Sequence, residues 1–206
     1  TTVNLIGNAL LALHRNPDQL ELLKSNLSLM PNAIEEFLRY DSSVQLTYHV
    51  AMEDVEIGGV KIPQGDNVMC LLGSANHDPA VYPDHPDRLD ITRPNVRPLS
   101  FGGGIHFCLG AQLARLEAEV ALTTLLRRIP NLRIDDVENP KWRPTFVLRG
   151  VTVSWVVVWK ARPSEGRTAD TLGRAAVNRA FAQWASRIQR GEVPPDVTES
   201  LEGAFD

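Results

Sequence analysis

A chain of 206 residues with 43% apolar and 22% charged side chains has the balance of an ordinary globular protein, and enough apolar residues for a sizeable core. Its formal charge of −4 supplies no basic field, which excludes nucleic acid or an anionic membrane surface as the main partner. Two cysteines, Cys70 and Cys108, are too few for a disulfide scaffold or a four-cysteine zinc site and fit a reducing cytoplasm, while the longest apolar run, residues 151–159, falls short of the ~20 residues of a membrane span.

The chain opens at Thr1-Thr2-Val3 already inside a helical pattern, without an initiator methionine or a leader-like apolar segment, and so reads as a truncation. Val3, Ile6, Leu10, Leu11 and Leu13 predict a buried helix over residues 1–14. Asn16-Pro17 predicts a restart, with Asn16 as N-cap and Pro17 in the first turn of a helix reaching about Leu27. Pro31 opens a third helix through Ile34, Phe37 and Leu38 to Tyr40. From Gln45 the period becomes strand-like: Leu46 to Ala51, Val55 to Ile57, the turn Gly58-Gly59, Val60 to Ile62, and Val68 to Leu72, expected as one small twisted sheet. Five prolines between residues 76 and 100 predict an irregular meander. After Gly102-Gly103-Gly104 a long helix is expected from Leu109 to Arg128 with Leu109, Leu113, Leu116 and Val120 as its apolar stripe, ended by Pro130. Strands are expected near Leu132 to Ile134 and Phe146 to Trp159. Beyond Lys160 follow a linker at residues 162–166, an amphipathic helix at about 169–190 and an acidic tail.

The stretch Phe101-Gly102-Gly103-Gly104-Ile105-His106-Phe107-Cys108-Leu109-Gly110 places one cysteine before a helix, after a loop flexible enough to turn its backbone toward a bound group. The N–H groups and positive potential at a helix start favour a thiolate, which serves as nucleophile or metal ligand. A buried core thiol is the plain alternative. A nucleophile needs a positioned base, and His106 two residues away is too local to diagnose one. Cys70 and the histidines at 14, 49, 77, 85 and 106 show no zinc-ligand spacing. Heme iron, by contrast, can take a single axial thiolate.

The pattern Phe101-x-x-Gly104-x-x-x-Cys108-x-Gly110 resembles the heme-binding signature of the cytochrome P-450 monooxygenases, and His106 with Ala111-Gln112-Leu113-Ala114-Arg115 resembles its bacterial soluble branch. The resemblance implies heme b ligated by Cys108, Phe101 shielding the sulfur, Gly104 and Gly110 admitting close backbone, and His106 on a heme propionate. Glu36-Phe37-Leu38-Arg39 resembles the family's E-x-x-R motif, and Pro86-Asp87-Arg88-Leu89 its meander motif, implying a structural network of Glu36, Arg39 and Arg88. Thr1 falls where the family's oxygen-activating threonine lies on the long central helix, implying a catalytic proton relay. His49 stands where bacterial relatives usually carry a propionate-binding arginine, and His77 also replaces a common arginine.

The implied fold is mainly α with small β-sheets (α+β), the C-terminal half of the cytochrome P-450 fold over residues 1–160, followed by a linker, helix and tail of other origin over 161–206. The implied activity is insertion of one oxygen atom into a small organic substrate, with electrons from ferredoxin and ferredoxin reductase. The alternative is a truncated, noncatalytic chain serving as scaffold or interaction module. Even on the first reading the free-standing chain is expected to be inactive.

Overall fold

In a computed structural model of the chain, residues 1–134 and 137–152 are described, so the strand, linker, helix and tail expected beyond residue 152 lie outside the described residues. The chain divides into two units, Thr1–Thr123 with Trp142–Thr152, and Thr124–Lys141 with Val153–Asp206; every residue of the candidate site lies in the first.

Three helices open the first unit. Helix α1, Thr2–Arg15, buries Leu5, Ile6, Ala9, Leu10, Leu11, Ala12 and Leu13, nearly its whole circumference, as a core helix does. Asn16 stands at the N-cap of the next helix as expected, its carbonyl accepting from Gln19 and Leu20 N, while its Nδ2 donates back to the Ala12 carbonyl at 2.8 Å and closes α1. Pro17 then starts α2, Pro17–Ser25, where no N–H is needed. Asn26 caps a short 3-10 turn by accepting from the Ser28 N–H, so α2 stops two residues before the expected Leu27. Helix α3, Met30–Tyr40, buries Met30, Ala33, Ile34, Phe37 and Leu38 on one face. Removing a side chain such as Phe37, 1% exposed, from water contributes roughly 1.5–3 kcal/mol.

The strands form two ribbons where one sheet was expected. Strand β1 (Thr47–Val50) pairs antiparallel with β4 (Asn67–Cys70), and between them β2 (Val55–Ile57) pairs with β3 (Val60–Ile62). Gly58 and Gly59 both take positive φ, the conformation that closes the β2–β3 hairpin. A short helix α4, Leu72–Ala75, follows. Residues 76–98 run without helix or strand, as expected.

Helix α5, Ala111–Arg128, passes from the first unit into the second. Its buried positions include Ala111, Ala118, Ala121 and Leu122, whereas Leu113 and Leu116 are exposed and Leu109 lies outside the helix in full solvent. The expected leucine stripe is thus on the wrong face: alanine lets the backbone approach its neighbours, and side-chain size misleads. The expected strands at 132–134 and from 146 are absent among the described residues; the isolated bridges Val44 to Leu148 and Trp142 to Val151 are what pairing there is.

Asp41, at the C-terminus of α3, links this segment to the helices. It accepts from Arg149 Nε at 2.7 Å, and Asn8 Nδ2 donates to its carbonyl at 3.3 Å. Burial pushes the Asp41 carboxyl above its ordinary 3.8, against the pull of Arg149. The folded chain therefore holds this proton more tightly than the unfolded chain, and stability falls as pH rises from 3.8 through the raised folded value. Urea titrations across that window should show a downward slope with pH that Asp41→Asn flattens; an unchanged slope would contradict the assignment.

Candidate thiolate site

The loop that carries Cys108 is shaped by its glycines and closed by its own backbone. Gly102 and Gly104 take φ of 70° and 60°, where a side chain would be strained. The Cys108 N–H donates to the Phe101 carbonyl at 3.0 Å, and the Cys108 carbonyl accepts from Ala111 N at 3.2 Å, joining the loop to the first turn of α5. The thiol is exposed and lines a cavity of about 460 Å³.

That cavity gathers most of the residues singled out from sequence. Thr1, His49, Phe101, His106 and Cys108 all line it, together with Leu5, Leu38, Val44, Leu72 and Leu99. The His49 and His106 rings lie 5.7 Å apart between centroids. The Thr1 carbonyl accepts the first helical bond of α1, from Leu5 N at 2.9 Å, which fixes the residue at the helix start. Cys70, expected as a core thiol, is half-buried and lines the same cavity. His77 does not line it; its Nδ1 faces Asp87 at 2.9 Å and its Nε2 donates to the Tyr40 carbonyl. Among the described residues no three His, Cys, Asp or Glu side chains cluster as a metal site.

Behind the loop lies a buried ionic network. Glu36 and Arg39, both 0% exposed, are three apart on one face of α3 and form a forked pair, Nε to Oε2 at 2.7 Å and Nη2 to Oε1 at 2.8 Å. Arg39 also donates to the carbonyls of Asn76, Pro86 and Arg88. Asn76 carries the connection to the cysteine loop: its Nδ2 donates to Ser42 and Ser100 Oγ, and its Oδ1 accepts from Leu99 N at 2.8 Å. Ser100 precedes Phe101 directly.

Residues 6–152 match the sequence profile of the cytochrome P450 family. The chain belongs to that family. It is 56% identical over 151 residues to a Xylella fastidiosa protein assigned as cytochrome P450 133B1, a match covering 73% of this chain and 37% of that one. The biotin biosynthesis cytochrome P450 of Bacillus subtilis is 50% identical over 151 residues, covering 73% and 38%. The crystal structure of P450BioI with a hexadec-9Z-enoic acid ligated acyl carrier protein superposes with a TM-score of 0.70 at 49% identity, covering 73% of this chain and 38% of that one. The chain thus spans little more than a third of the length of these relatives.

One P450 motif residue expected from sequence is misplaced. Arg88 was expected to complete the Glu36–Arg39 network, but its side chain is exposed and it contributes its carbonyl to Arg39 and Arg93. The second arginine on Glu36 is Arg93, 6% exposed, with Nε 3.4 Å from Oε1 and further bonds to the carbonyls of Asp84, His85 and Arg88. The reason is a turn: Leu89 and Ile91 are buried at 1% and 0% exposure, and the Arg93 N–H donating to the Asp90 carbonyl at 3.0 Å folds the chain back so that Arg93 is buried with them while Arg88 stays exposed. The turn opened by Asp90 is the signal that would have found it. Arg93→Met is expected to lower stability by about 3–5 kcal/mol, as breaking a buried pair does, and Arg88→Met by less than about 0.5 kcal/mol. Equal losses in urea unfolding would refute the reassignment.

Asn76, Ser42 and Ser100 were also missed, because nothing local marks an asparagine and two serines as partners 24 to 58 residues apart.

Proposed function

We propose that this chain forms the cysteine side of a heme-thiolate monooxygenase, with heme b ligated by Cys108. The observation that carries the reading is the exposed Cys108 thiol on a largely aliphatic cavity that His49 and His106 also line. The residues fit the group: a β-carbon placed on Gly103 or Gly104 would meet nothing within 4 Å, and one on Gly110 would meet the Cys108 Sγ only at 4.0 Å, so the loop backbone leaves the exposed thiol uncrowded. When bound, heme supplies the redox chemistry that activates dioxygen and inserts one oxygen atom into an organic substrate, the other leaving as water.

The chain's own residues have separable tasks. Cys108 would hold the heme iron through its sulfur and, as a thiolate, would lend it electron density, with Phe101 and Gly110 flanking it in the loop. His49 and His106 offer imidazole donors for heme carboxylates. The Thr1 hydroxyl, at the start of α1, holds and passes a proton. Glu36, Arg39 and Arg93 keep the loop in place without touching reactants.

The substrate is a small organic molecule, held partly by walls that the relatives build from the rest of their length. Ferredoxin and ferredoxin reductase are the electron donors and the cytoplasm the compartment, readings supported by the bacterial P450 relatives and by two unpaired cysteines. No described helix is long and apolar enough to cross a membrane. Residues 1–160 belong to the P450 domain and 161–206 to a separate segment. On this reading the free-standing chain does not turn over by itself, in keeping with Ile105, Leu109, Leu113 and Leu116 standing exposed about the cysteine loop and the start of α5.

Heme titration followed by reduction under carbon monoxide tests the proposal. Stoichiometric uptake with the red-shifted absorption band of thiolate ligation is expected. A chain that takes up no heme, or shows an unshifted band, favours the noncatalytic scaffold instead.

A further inference from the structure

We propose that Glu35 and Arg115 are positioning residues for the Cys108 site, acting through the ring of Phe101. The two come from different elements, Glu35 from α3 and Arg115 from α5, 80 positions apart in sequence. Arg115 Nε and Nη2 donate to Glu35 Oε1 and Oε2 at 2.5 and 3.0 Å, a fork that sets the guanidinium plane. The guanidinium carbon then sits 4.6 Å from the centre of the Phe101 ring, within the range of a cation–π contact.

Phe101 is the hinge of the cysteine loop. Its carbonyl accepts the Cys108 N–H, its ring meets Phe107 edge-on at 6.4 Å between centroids, and it lines the cavity beside the thiol. The Glu35 carboxylate thus reaches the loop in two steps, first fixing Arg115 and then, through it, one face of the ring. Both charged side chains are about three-quarters covered, at 26% and 23% exposure, so water competes weakly for the fork. The hydrogen bonds that Arg115 donates to Glu35 raise the Arg115 pKa above its ordinary value, in keeping with a tightly held cation. Lysine at 115 would keep the charge and lose both the fork and the plane.

The inference extends the heme-thiolate reading, and its test has one arm that needs no heme. In a Cys70→Ala background, the alkylation rate of Cys108 by iodoacetamide is measured in the heme-free chain, with urea unfolding as the control for folding. In the heme-loaded chain the ferric–ferrous potential is measured. Glu35→Gln and Arg115→Met are each expected to change the alkylation rate about threefold, in the same direction as Phe101→Leu, and to move the potential in the direction Phe101→Leu moves it. Arg115→Lys should restore neither, and Arg115→Met added to Phe101→Leu should change nothing further. If Phe101→Leu alters the rate while Glu35→Gln and Arg115→Met leave it at the parent value, the positioning role is overturned. A chain that takes up no heme refutes the heme reading alone, and the alkylation arm still decides this one.

Discussion

Glu36→Gln is expected to lower the stability of the chain by about 3–5 kcal/mol while leaving it folded in water. The substitution keeps size and shape and removes one charge. That charge is the counterion of two buried guanidiniums, Arg39 forked at 2.7 and 2.8 Å and Arg93 at 3.4 Å. Glutamine can still accept the Asp90 N–H, so the loss is electrostatic in origin. Breaking a buried pair from one side costs about 3–5 kcal/mol, because the partner charge stays buried and uncompensated. Against a total stability of roughly 5–15 kcal/mol, a loss of that size is a fifth of the margin or more. The exposed pair Lys24–Glu21 supplies the control: Glu21→Gln should change stability by less than about 0.5 kcal/mol. Urea unfolding of the two variants beside the parent checks both, and a Glu36→Gln loss no larger than the control would show that the network is dispensable.

Cys108→Ala carries the largest expected effect on function. The thiol is exposed on the cavity, and its loop is set by backbone bonds from Cys108 N to Phe101 and from Ala111 N to the Cys108 carbonyl, none of which uses the sulfur. Alanine should therefore fold as the parent does, separating chemistry from stability. Heme uptake should weaken by at least about tenfold, a conservative bound given that disturbing outer partners of a metal ligand already costs that much. The red-shifted carbon monoxide band should vanish altogether. Cys70→Ala, on the same cavity, should leave that band in place. A variant lacking Cys108 that keeps the band would assign the ligand elsewhere.

What could be read in advance depended on how far apart the interacting residues lie. Cys108 and its glycines are contiguous, and Glu36 with Arg39 share one helical turn, so their spacing alone expressed the geometry. Helix positions followed from periodicity, to within two residues at the ends of α1, α2 and α3. The α5 stripe failed for a physical reason: its leucines at 113 and 116 are exposed while Ala118 is fully buried, so close backbone approach outweighed side-chain size. The ribbons merged into one expected sheet because short strands carry no mark of their partner, and β1 pairs with β4 across the whole β2–β3 hairpin. Arg88 and Arg93 are five apart in the same irregular segment, and only the turn at Asp90 separates them. Glu35 with Arg115 left no local trace at all.

The meander has no ladder of its own, yet its main chain is far from unsupported. The carbonyls of Asn76, Asp84, His85, Pro86 and Arg88 receive the donors of two guanidiniums that radiate from Glu36. The anchors are peptide oxygens, which every residue type possesses. The side chain at Asp84 can thus vary widely at little cost, whereas His85 is held at a φ of 50° and deleting a single residue between positions 84 and 93 slides the oxygens of residues 84–88 out of reach. In this segment it is the count of peptide units, more than their identity, that selection has to preserve.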